Sequence, residues 1–151
     1  MRVLLITTLI WVTSFAQAAE QKYLCIADGA TGFRYDETAK SWGVVTYSTE
    51  SLRYIVAKAK GSYAKHSKYT ITRIGDSYAI QTCKKDFSES GLLVCDDELG
   101  YRMFSMNSRN LRYAQSSSGL YPHAGMQLGE VLVSDSNADA PYVEIGKCSP
   151  L

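Results

Sequence analysis

The stretch YTITRIGDSYAIQTC, Tyr69 to Cys83, places two runs of β-branched and aromatic residues on either side of Gly75-Asp76. Tyr69 to Ile74 and Ser77 to Cys83 fit extended chain, and Gly75 can take the positive φ that a tight turn demands, so the stretch predicts a β-hairpin. The same signature recurs outward in both directions. Upstream, Leu52 to Lys60 fits a helix through Leu52, Ile55, Val56 and Ala59 and a strand through Leu52, Tyr54 and Val56. Its β-branched and Tyr content assigns it to a strand. Trp42, Val44 and Thr46 alternate with Gly43, Val45 and Tyr47, Phe33 and Tyr35 alternate with Gly32 and Arg34, and polar Asp36 to Ser41 reads as the loop between them. Lys22 to Ala27 is a short apolar run that the turn pair Asp28-Gly29 ends.

Downstream, Leu92 to Cys95, Tyr101 to Met106, Asn110 to Gln115, Glu130 to Ser134 and Tyr142 to Lys147 are further strands. Asn107-Ser108-Arg109 is a short link, and Ser116 to Leu128 a long connection containing Pro122. About ten short strands joined mostly by hairpins predict an all-β antiparallel meander, and closing it into a small barrel or sandwich removes the exposed edges. No internal repeat of propeller or solenoid length is present.

The first 18 residues read as a secretory signal peptide: Arg2, an uncharged run from Val3 to Val12, then Ala16-Gln17-Ala18 ahead of the cut. The apolar run is too short to cross a bilayer, which needs about 20 such residues. Residues 19–151 then form a single domain of about 133 residues, periplasmic or secreted. Its four cysteines, an even number in an exported chain, predict two disulfides, and of three connectivities Cys25 with Cys148 and Cys83 with Cys95 is the expected one. No CxxC or HxxxH spacing suggests a metal site.

The chain has 16 basic and 15 acidic residues, and losing Arg2 with the leader leaves 15 of each. Such balance excludes a broad electrostatic partner such as nucleic acid. Binding must therefore come from a local patch. The most localised is Lys58, Lys60, Lys65, His66 and Lys68, interleaved with Tyr63 and Tyr69, which suits a cell-envelope component such as phosphate-rich polysaccharide or anionic lipid heads, or an acidic protein; the plainer reading is a solvated loop that discourages edge pairing.

No G-x-S-x-G surrounds a serine, and His66 and His123 fall in loops, so no catalytic residue is assigned and no cofactor is expected. Asp96-Asp97-Glu98 and Asp135 with Asp139 read as hydrated turns, lacking the oxygen spacing of a calcium loop. Eleven tyrosines, many in strands, suit a core whose hydroxyls reach polar partners at the rim, or a ligand cavity.

Cys25-x6-Gly32-Phe33-x-Tyr35-Asp36, Lys40-Ser41-Trp42 and the terminal Val143-Glu144-Ile145-Gly146-Lys147-Cys148 resemble a group of small exported bacterial proteins without an assigned function. Size, export, Tyr23-x-Cys25 and the stapled all-β design are also loosely similar to periplasmic lysozyme inhibitors of the membrane-bound/C-type kind. Ser118-Gly119-Leu120-Tyr121 keeps the Ser-Gly and Tyr of their recognition loop and lacks its basic residue. The sequence thus reads as a non-enzymatic binding module. One alternative is an inhibitor of a cell-wall hydrolase that inserts Ser116 to His123, with Ser118, Tyr121 and His123 as contacts, into an exported enzyme. A second is a lipocalin-like carrier with an apolar cavity lined by Tyr54, Tyr78, Ile80 and Tyr113.

Overall fold

A computed structural model describes residues 21–119 and 140–151, with the backbone of 127–128 and 131–132. The signal-peptide reading, Tyr121, His123, Asp135 and Asp139 lie outside the described residues. The strands are β1 (Lys22–Asp36), β2 (Ser41–Tyr47), β3 (Arg53–Lys58), β4 (Tyr69–Arg73), β5 (Gln81–Cys83), β6 (Leu92–Asp96), β7 (Arg102–Asn107), β8 (Arg112–Ser117), β9 (Gln127–Leu128), β10 (Val131–Leu132) and β11 (Tyr142–Pro150). A 3-10 turn, Tyr63–Lys65, lies between β3 and β4.

Eight of these strands close an antiparallel barrel in the order β11-β8-β7-β6-β5-β4-β3-β1, with β1 pairing back onto β11. β1 makes this closure because it is long. One edge pairs with β11 from Tyr23 to Gly32, while the other takes β3 from Lys22 to Ile26 and then β2 from Ala30 to Asp36. β2 is thus an extra strand on β1, outside the ring. β9 and β10 pair with each other in a separate ladder.

Asp28-Gly29 does not turn the chain as its composition suggests. The strand runs through it with a shift of register against β11 between Ala27 and Gly29, so the extra residue is absorbed as a bulge. Asp28 points outward there, 3.8 Å from the Lys147 ammonium. The predicted hairpin at Gly75-Asp76 forms with Gly75 at φ 101°, but its second strand is shorter than its composition suggests, since Ser77 to Ile80 belong to the loop.

The interior changes character from one end to the other. At the closed end both disulfides join directly facing residues of neighbouring strands, Cys25–Cys148 and Cys83–Cys95. Phe87 covers this end, packing edge-on against Tyr23 and Tyr69 at centroid distances of 6.0 and 5.2 Å. Val56, Ile71, Leu93 and Met106 belong to the same buried cluster. Tyr54, Phe104 and Tyr113 form the next group, with Phe104 and Tyr113 stacked at 5.2 Å. Gly146 sits under the Tyr113 ring, where a Cβ would collide with that ring and with the Ile26 carbonyl. Close approach of backbone and ring requires glycine at this point.

Beyond this layer the side chains facing the axis are polar. On β4 they run Tyr69, Ile71, Arg73; on β7 Met106, Phe104, Arg102; on β8 Tyr113, Gln115, Ser117; and on β11 Cys148, Gly146, Glu144, Tyr142. Cross-strand register brings the last members together at one end, with Ser117 opposite both Arg102 and Tyr142.

Candidate ligand site at the mouth of the barrel

Glu144 is the centre of the polar layer. Its side chain is 1% exposed, and each carboxylate oxygen accepts a tyrosine hydroxyl: Tyr54 donates to Oε2 at 3.0 Å and Tyr113 to Oε1 at 3.2 Å. Burial raises the Glu144 pKa above the ordinary carboxylate value, against the lowering by these two hydrogen bonds and by Arg73. Burial, reinforced by the carboxylate, also pushes the Tyr54 and Tyr113 hydroxyls upward, so both remain donors.

Two glutamines flank this group. Gln115, opposite Glu144 and Phe104 in register, donates from Nε2 to the Tyr142 hydroxyl at 2.8 Å, while its Oε1 accepts nothing among the described residues. Gln81, opposite Ile71 and so one inward position deeper than Arg73, is 1% exposed and has neither Oε1 nor Nε2 hydrogen-bonded among the described residues. Buried amides nearly always have partners, and each unpaired atom costs about 1–3 kcal/mol.

Above them the barrel opens into a pocket of about 310 Å³ walled by Ala30, Tyr47, Leu52, Tyr142, Arg73 and Arg102. Both guanidinium groups act on Tyr142, whose hydroxyl burial pushes up and whose Gln115 bond and two arginines pull down. Arg73 has one loose partner, Asp76, with Nε to Oδ2 at 3.8 Å. Arg102 has no ion-pair partner among the described residues.

The residues singled out in the sequence lie elsewhere. Lys58 and Lys60 share an outer groove of about 350 Å³ with Lys22, Tyr63 and Tyr78, whereas Lys65 and Lys68 do not line it. His66 opens onto a different groove with Ser62, Ser67, Asp96, Asp97 and Glu98, and its ring hydrogen-bonds to none of the described residues. Ser118, whose backbone N–H donates to the Tyr101 carbonyl at 2.9 Å, borders a groove of about 420 Å³ beside Phe33 and Val44. Among the described residues, Tyr54, Tyr78, Ile80 and Tyr113 do not face one common space. Tyr78 is 61% exposed on the outside, and Tyr54 and Tyr113 pack ring to ring with Phe104.

Glu144, Gln81, Gln115, Arg73 and Arg102 are the functional candidates that composition and motif reading passed over. Alternation from the cysteines would have found two of them, since Glu144 is four residues before Cys148 and Gln81 two before Cys83. Comparison with known proteins adds nothing to the geometry, because no family model, curated protein or solved structure matches the chain.

Proposed function

We propose that this chain is an exported, non-enzymatic binding protein that takes a small polar ligand into the open end of its barrel. The supporting observation is Gln81, a fully buried amide with both polar atoms unpaired among the described residues, lying one inward position below Arg73 and beneath the residues that line the mouth. A ligand group that hydrogen-bonds there would satisfy both atoms. The apolar walls Ala30 and Leu52 and the polar ends of Tyr47 and Tyr142 suit a small organic molecule, and the volume sits at the lower end of ligand pockets. Two disulfides suit an oxidising compartment, which agrees with export.

The test is native mass spectrometry of protein purified from the periplasm without denaturation. The expected spectrum shows the disulfide-bonded chain from Ala19 carrying an added small mass, which unfolding in guanidinium and refolding removes together with several degrees of Tm. An Ala140→Trp variant, which puts a bulky ring at another residue lining the mouth, is expected to carry no added mass. A bare chain, with the same Tm before and after refolding, contradicts the proposal.

A further inference from the structure

Within that reading, which this inference deepens, we infer that the mouth selects an organic carboxylate, held between the Arg73 and Arg102 guanidinium groups, while an uncharged hydrogen-bonding group of the same molecule reaches inward to Gln81 and Gln115. Three features of the site carry this.

The first is the direction of the two cations. β4 and β7 each alternate inward and outward, and Arg73 and Arg102 stand on the inward side, in line with Ile71 and with Phe104 and Met106. Arginine facing the axis of an eight-stranded barrel replaces the apolar residue that usually fills such a position. Both guanidinium groups border the same pocket.

The second is the lack of close ion pairs among the described residues, since even Asp97, whose N–H meets the Arg102 carbonyl, forms none with Arg102. Asp76 reaches Arg73 only at 3.8 Å, and Arg102 has no carboxylate partner among the described residues. Glu144 acts on Arg73 electrostatically, but both its oxygens accept tyrosine hydroxyls and it forms no ion pair with either arginine. Two cations at a half-buried mouth create a positive potential that a bound carboxylate relieves, and the planar guanidinium matches a carboxylate with paired N–H donors.

The third is the placement of unpaired amide atoms one inward position below the arginines, beneath the residues that line the pocket. Gln81 offers a donor and an acceptor and Gln115 an acceptor, all buried. A carboxylate alone fills the cation site and leaves these groups unmet. A hydroxy or amide substituent on the same molecule meets both, so such acids are expected to bind more tightly than their unsubstituted parents.

Isothermal titration calorimetry on refolded, ligand-free protein tests this with benzoate, 4-hydroxybenzoate, inorganic phosphate and the uncharged benzamide. The expected order is 4-hydroxybenzoate tighter than benzoate, with benzamide at least tenfold weaker than benzoate. Arg102→Met and Arg73→Met are each expected to weaken carboxylate binding at least tenfold. Lys58→Glu with Lys60→Glu, in the outer groove, is expected to leave it unchanged.

Equal binding of benzoate and benzamide, or carboxylate binding indifferent to both arginine variants, overturns anion selection; if Ala140→Trp still abolishes that binding, the mouth stands as the binding site. Preference for phosphate over every carboxylate overturns the choice of acid. Heat from none of the four probes at millimolar concentration overturns the inference, and the retained mass of the native protein then decides separately whether the mouth binds anything.

Discussion

Replacing Cys25 and Cys148 together with alanine is expected to lower the unfolding free energy by about 5 kcal/mol. The bridge spans 123 positions of sequence, so without it the unfolded chain regains the freedom of nearly the whole domain. Cys83–Cys95 spans only 12, for which the same chain-entropy reasoning gives about 3 kcal/mol. The two bridges also sit differently in the ring. Cys25–Cys148 locks the β1–β11 seam, the pairing that converts an open sheet into a barrel, whereas Cys83–Cys95 reinforces the junction of β5 and β6. Since a domain of this size has about 5–15 kcal/mol in total, loss of the first bridge brings the protein close to unfolding at 37 °C. Urea titrations of the two double-alanine variants check this. A smaller loss for Cys25–Cys148 than for Cys83–Cys95 would show that the seam is held chiefly by its backbone ladder.

Glu144→Ala is expected to cost about 3 kcal/mol, because it leaves two buried tyrosine hydroxyls without their acceptor and opens a void between them. Glu144→Gln behaves differently. It keeps the shape, and its amide can accept from one tyrosine and donate to the other. The buried carboxyl binds its proton more tightly folded than unfolded, so its contribution is complete below about pH 4.5 and is lost as pH rises through its elevated folded value. Wild type is therefore expected to lose stability relative to Glu144→Gln as pH rises from about 4.5 through the elevated folded value, and the glutamine variant to show the flatter profile. Chemical denaturation of both proteins across that range measures the difference. The opposite slope would mean that Arg73 stabilises the anion more than burial destabilises it.

An antiparallel all-β meander closing into a barrel or sandwich was legible in the alternation of β-branched and aromatic residues and in turns such as Gly75-Asp76, and so were the two bridges. The facing of several strands was not. In Tyr142 to Cys148 the apolar residues Val143 and Ile145 invite a core assignment, yet they are 49% and 58% exposed and Glu144 lies inside. Leu92 and Val94 on β6 are likewise outside, with Leu93 and Cys95 within. The bridged, buried cysteines set the phase in each case. Cys148 carries Gly146 and Glu144 to its own side, Cys95 carries Leu93, and Cys83 carries Gln81.

Even with that phase known, the meeting of Arg73 and Arg102 needs the closed order of strands. β4 and β7 are separated in the ring by β5 and β6, and nothing local relates residue 73 to residue 102. Glu144 and its tyrosines are similarly remote in sequence, with Tyr54 90 positions away and Tyr113 31. The Lys-rich loop attracted notice because its residues are adjacent in the chain. Folding divides it between two outer grooves and the solvent, while the more concentrated site assembles from residues that no window of sequence contains together.

The central claim is the location of the site, and the most direct test is a titration of ¹⁵N-labelled protein with 4-hydroxybenzoate followed by two-dimensional amide NMR. Shift changes are expected to cluster at Arg73, Gln81, Arg102, Gln115 and Tyr142, at the mouth and in the layer beneath it. Changes centred instead on Lys22, Lys58, Lys60 and Tyr63, with the mouth silent, would contradict that location.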